Sequence, residues 1–156
     1  MGRGLEGFER MTLAERRKQL RIIAEMLLVH LPTVLDDQAL ARDLLAITSL
    51  AIRAAADDVE KSASAWDKRA YHVKADELRR EWEWAPGAAN YAVGLADRPQ
   101  PITTADLSKL QALIGVELER HKRIQYQDPS AFRGAREANR RREQREGRRL
   151  PKRSMV

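Results

Sequence analysis

The side chains whose type and spacing point most directly to chemistry lie near the C-terminus. From Pro129 to Val156 stand Arg133, Arg136, Arg140, Arg141, Arg142, Arg145, Arg148, Arg149, Lys152 and Arg153, against the acids Glu137, Glu143 and Glu146, a net charge of +7. The remaining residues carry 19 basic and 20 acidic groups, so the +6 of the whole chain belongs to this stretch. Nine of its ten cations are arginine, whose planar fork pairs bidentately with phosphate and stacks on bases, as a lysine-rich solubilising segment would not. The expected partner is nucleic acid bound through its phosphates, RNA ahead of DNA. Few apolar residues follow Phe132, so residues 129–156 are expected to be a tail, disordered when free. Ala135 to Glu146 has fair helix propensity and is a candidate for folding on binding. The competing expectations are a solvated charged arm and, over Arg148 to Arg153, a nuclear-import signal.

A second candidate is the segment Trp66 to Trp84. It holds all three tryptophans and Tyr71, interleaved with Lys68, Arg69, Lys74, Arg79 and Arg80. Aromatic and basic residues in alternation stack bases or anchor a protein interface. Tyr71 and Trp82 share a helical face with Ala75 and Leu78, which makes them core anchors first. Trp84 falls off that face and, with Arg80, is the candidate partner surface.

Catalytic constellations are absent. No glycine-rich phosphate loop, His-Glu-x-x-His or Gly-x-Ser-x-Gly occurs. Without cysteine there is no thiol nucleophile, zinc ribbon or disulfide. His30, His72 and His121 fall on separate predicted helices, and none pairs with another at i,i+3 or i,i+4. They read as surface or capping histidines, and no metal or other cofactor is expected. Asp36-Asp37 and Asp57-Asp58 sit at predicted helix boundaries, where capping explains them without acid–base work. An enzyme is not expected.

The elements that must carry these groups are helical. Thr12-Leu13-Ala14-Glu15 is a capping box ahead of the stripe Leu20, Ile23, Leu27 and Leu31, widened by Ile22, Met26 and Val29, and Pro32 ends it. A second helix opens at Asp36 or Asp37 and runs through Leu40, Leu44, Ile47, Ala51 and Ala55. Ser62 to Ala65 is a weak joint, and Ser64 is a second capping-box candidate. A continuous helix through that point is the competing reading. The third helix runs to about Trp84 and stops at Pro86-Gly87. Ala88 to Leu95 is a short helix or turn, and Asp97 to Pro101 is extended. Thr103 or Thr104 caps a last helix with Leu107, Leu110, Ile114 and Leu118, Leu113 and Ile124 beside it, closing at Asp128-Pro129. No period-2 alternation or hairpin signal is present.

The expectation is therefore an all-α protein, a small bundle of about four helices with a flexible basic C-terminal tail. Residues 1–11 form a flexible N-terminal arm, 12–128 the helical domain and 129–156 the tail. Leu27, Leu44, Ile47, Leu78, Leu110 and Ile114 are expected in the core. No run is long and apolar enough for a membrane span and the N-terminus lacks the apolar core of a secretory signal, which together favour the cytoplasm. The function these features favour is non-enzymatic binding, the domain docking on a protein or on itself and the tail contacting nucleic acid. The alternative is a structural or adaptor subunit whose tail meets an acidic protein surface.

Overall fold

The computed structural model describes the backbone of residues 2–149 and the side chains of residues 13–147, and every regular element among them is helical. Five α-helices build the body: α1 (Gly2–Ala24), α2 (Gln38–Lys68), α3 (His72–Glu81), α4 (Ala85–Asp97) and α5 (Thr104–Leu113). A sixth, α6 (Ala135–Arg149), follows a largely non-helical return. The helical class is as expected, but the count exceeds four. Pro86 does not stop a helix here. It stands in the first turn of α4, where its missing N–H has no intrahelical role and its fixed φ suits the helix. None of the helices in the described residues is long and apolar enough to cross a membrane.

Thr12 is not a boundary either, because α1 passes through it from Gly2. Beyond Ala24 the same rod continues as a π-helical turn (Glu25–His30) and a 3₁₀ turn (Leu31–Thr33) containing Pro32. Asp37 caps α2 as expected, its carboxylate accepting the Leu40 amide at 3.1 Å. α2 then runs without a joint past Ser64, whose hydroxyl donates to Glu60 instead (3.2 Å). Asp57-Asp58 thus lies inside a helix rather than at its end, and Asp58 is buried beside Arg16 (3.3 Å). Burial raises the Asp58 carboxyl above its ordinary pKa, against the opposing pull of Arg16.

The break comes at Arg69. The Tyr71 amide bonds the Trp66 carbonyl and the Ala70 amide bonds that of Asp67, each at 2.9 Å. This is a Schellman motif, and the Trp66 and Tyr71 rings supply its apolar contact edge-on at 5.5 Å. Its left-handed position, usually glycine, is held by Ala70 at φ 64°.

α2 is the central rod, packed against α1, α3, α4 and α6. Its buried Ala41, Ala51 and Ala55, and Ala85, Ala88, Ala89, Ala92 and Ala96 on α4, let backbones approach closely. Ser49 crosses that seam to donate to the Ala89 carbonyl (3.0 Å). The Arg42 guanidinium closes the end of α4, reaching the carbonyls of Leu95, Ala96 and Arg98 (3.2, 3.2 and 2.6 Å), orphan acceptors of a helix C-terminus. Thr103 and Asp106 form a reciprocal capping box on α5.

Leu27, Leu44, Leu110 and Ile114 are buried. Ile47 and Leu78, expected with them, are only half-buried: Ile47 faces a groove walled by Ile22, Tyr126 and Phe132, and Leu78 a cleft with Leu13 and Trp66. Tyr71, displaced by the break, is 54% exposed, and Ile124 is 64% exposed because α5 ends at Leu113. Gly115 follows, with its backbone directly against an indole. A Cβ there would lie 2.4 Å from Cδ1 of Trp84.

The left-handed alanine generates a stability prediction. Ala70→Gly should stabilise the protein by about 0.5–1 kcal/mol, the relief of a left-handed Cβ clash less the added freedom of the unfolded chain. Urea denaturation measures it, and a loss of stability would contradict the assignment.

Candidate nucleic-acid interface

The arginine-bearing segment is positioned by what precedes it. Residues five apart on an α-helix point about 140° from each other, but the π turn brings Glu25 and His30 together. His30 Nε2 lies 2.7 Å from Glu25 Oε2, and both side chains are buried. His30 is therefore not a surface or capping residue. The same carboxylate accepts the amides of Gln125 (2.6 Å) and Tyr126 (3.0 Å), pinning the extended chain after His121 to α1. Tyr126 and Phe132 then pack edge-on, centroids 4.8 Å apart. Asp128 closes the short 3₁₀ turn Pro129–Phe132 by accepting the Ser130 amide (3.0 Å).

Gly134, at φ 90°, turns the chain into α6 through a conformation that disfavours other residues. Asp43, buried on α2, meets it there. Its two carboxylate oxygens accept the amides of Gly134 (2.9 Å) and Arg136 (3.1 Å). These belong to the donors that a helix start leaves unpaired, and a negative charge at that end suits the helix dipole. The cap of α6 thus comes from another helix.

Ion pairs surround this anchor. Arg133 meets Asp37 at 2.7 Å, and Arg136 and Arg140 meet Asp97 at 2.9 and 3.4 Å. The Arg133 hydrogen bond, followed by that of the Leu40 amide, holds the Asp37 carboxyl below its usual range. Farther along, Glu143 approaches Arg53 (4.0 Å), so α6 runs parallel to α2. These pairs are substantially exposed, and screening by solvent leaves each a weak restraint. The charge-assisted bonds to buried Asp43 are the stronger restraint. The body drawn from sequence ended at Asp128, whereas its packing continues into α6, because backbone amides can be tied by distant carboxylates where no apolar side chains are available.

The structure divides the basic residues. Arg133, Arg136 and Arg140 face carboxylates of the body. Among the described residues Arg141 pairs only within its own helix, with Glu137 at 3.4 Å. Every residue from Arg140 to Gly147 is exposed. Arg142 borders the groove of Tyr126 and Phe132, and neither it nor Arg145 forms an ion pair among the described residues. Arg141 and Arg145 lie on one side of α6, about 6 Å apart along its axis. The side chains of Arg148 and Arg149, and the residues Lys152 and Arg153, lie outside the described residues.

Arg80 and Trp84, the candidate partner surface, differ in exposure. Arg80 is exposed, but Trp84 is half-buried against Trp82 (centroids 4.9 Å) and Gly115. The cause is that α3 ends at Glu81, and the turn before α4 swings this indole inward. Among the described residues the exposed aromatic is Tyr71, near Lys74, whose ammonium lies 3.7 Å over Trp66.

The histidines are dispersed. His72 is exposed and contacts Asp67 at 2.9 Å. Burial, then Arg120, Arg17 and Arg21, keep the His121 pKa below its ordinary value. Among the described residues no three potential ligands gather to hold a metal ion.

Sequence reasoning passed over Glu25, Asp43 and Asp97. The first two carried a usable signal: Glu25 is the lone charge in the apolar run Ile22 to Val29, and Asp43 is the lone acid in Leu40 to Ile47, where Arg42 is the other charge. Comparison of the chain with protein-family models, curated proteins and solved structures finds no match.

The two classes of restraint separate experimentally. Asp43→Ala should lower stability by about 1–3 kcal/mol through the loss of two hydrogen bonds from part-buried amides to its carboxylate, and should accelerate hydrogen exchange at Gly134 and Arg136. Asp97→Ala, which removes two exposed pairs at roughly 0.2–1 kcal/mol each, should cost less and should leave exchange at Gly134 and Arg136 nearly unchanged. Equal effects on unfolding and exchange would contradict the ranking.

Proposed function

We propose that this chain is a non-enzymatic binding protein whose helical body carries α6 as an arginine-rich surface for nucleic-acid phosphates. The observation that supports this most is the division of the arginines. Arg133, just before α6, and Arg136 and Arg140 on it pair with Asp37 and Asp97 of the body, while among the described residues Arg141 pairs with Glu137 of its own helix and Arg142 and Arg145 form no ion pair. An arginine fork in that position has donors for a phosphate oxygen pair. Binding through phosphates releases counterions and depends steeply on salt, with little sequence preference.

The test is fluorescence anisotropy of labelled DNA and RNA with the full chain between about 50 and 200 mM salt. Replacing Arg141, Arg142 and Arg145 together by alanine should flatten the log–log salt slope by about 2–3 units, at 0.7–0.9 per contact. A slope unchanged by the triple replacement would refute the assignment of these residues. Binding of poly-glutamate as tight as that of nucleic acid would favour the adaptor alternative, with an acidic protein surface as the partner.

A further inference from the structure

We propose that the partner of α6 is B-form duplex DNA, the exposed half of the helix entering the major groove; this rests on the phosphate-binding reading above. A tail that orders only on binding is suited to wrap a single strand or a structured RNA. α6 is instead held on the body before any partner arrives, the Gly134 and Arg136 amides at its start on Asp43, Arg133 just before it on Asp37 and Arg136 on Asp97. A helix held in this way forgoes most of the ordering entropy of binding and cannot follow an irregular strand. It requires a groove that admits a helix.

Dimensions and chemistry select the groove. A helix with its side chains is about 10–12 Å across, and the B-form major groove is about 12 Å wide. The major groove of A-form RNA is too deep and narrow for side chains to read. α6 has the necessary clearance, since all residues from Arg140 to Gly147 are exposed. Arg141 and Arg145, one turn apart, and Arg142 beside them can reach phosphates or the paired acceptors of a guanine edge. Of the three acids of α6, Glu143 is turned toward Arg53, Glu137 lies one turn before Arg141 on the same face and pairs with it and with Arg140, and Glu146 is exposed beside Arg145, so a phosphate must displace Glu137 from Arg141.

The residues missing from this face argue in the same direction. Single-strand sites combine basic grooves with aromatic side chains on which bases stack, yet Ala135 to Gly147 contains no aromatic residue. Tyr126 and Phe132, which border Arg142, are half-buried and packed edge-on against each other, and Tyr71, the exposed aromatic among the described residues, lies beyond the C-terminal end of α2, whereas α6 starts at Asp43 near its N-terminal end.

The full-length protein is titrated against three labelled probes of one sequence and length: duplex DNA, single-stranded DNA and duplex RNA. Duplex DNA should bind about tenfold or more tightly than either other probe, as a groove fit requires. Its log–log salt slope should contain about −2.7 from three arginines at −0.9 each. The triple alanine variant, its fold verified by an unchanged circular dichroism spectrum, should lose the preference. Methylation at guanine N7, a major-groove atom, should be suppressed by the wild-type protein. Equal or tighter salt-dependent binding to the single strand or to duplex RNA would overturn the duplex inference and leave phosphate binding standing. Absence of salt-dependent binding to all three probes would overturn both.

Discussion

A main-chain amide packed against a protein body must find an acceptor, and the stretch between α5 and α6 has little helix of its own to supply one. Two carboxylates from the first third of the chain do so. Glu25 accepts the amides of Gln125 and Tyr126, and Asp43 those of Gly134 and Arg136. Sequence separations of 91 to 101 residues make these long-range ties. Bonds to an ionised acceptor are each worth about 1.5–3 kcal/mol, and exposed ion pairs at most about 1. The return is therefore held mainly by its backbone. The arginine pairs around it adjust where α6 lies.

The rod that supplies Asp43 also organises the surface on which α6 rests. Asp37 caps α2 and receives Arg133. Five residues along, Arg42 holds the end of α4 by its carbonyls, and that places Asp97, the last residue of α4, where Arg136 and Arg140 meet it. Alanines on α2 and α4 bring the two helices close enough for one arginine to span that distance. Small residues at a seam and a single cross-helix cap thus fix where the positive segment lies. The first arginines of α6 are used in docking, and later ones face outward.

Local features were legible in the sequence. The Thr103 capping box, the Asp37 cap and the stripes through Leu27, Leu44 and Leu110 required only neighbours in the chain. The α2–α3 break was not legible as such, because its left-handed residue is alanine where glycine is expected. Pro86 misled because proline opens a helix as readily as it closes one. Trp84 was placed by the phase of a helix that had already ended. The candidate site was half legible. Arginine composition marked the segment, but its attachment depends on pairings about ninety residues distant, which no local pattern encodes.

The central claim, that α6 is held against α2 rather than trailing from the body, is open to a direct distance measurement. The chain contains no cysteine, so two introduced ones are unique labelling sites. Asp57→Cys on α2 and Ala138→Cys on α6 are both exposed positions. With spin labels at these sites, double electron–electron resonance should give one narrow distance distribution in the free, full-length protein. A broad distribution, of the kind a loosely attached chain gives, would contradict the account.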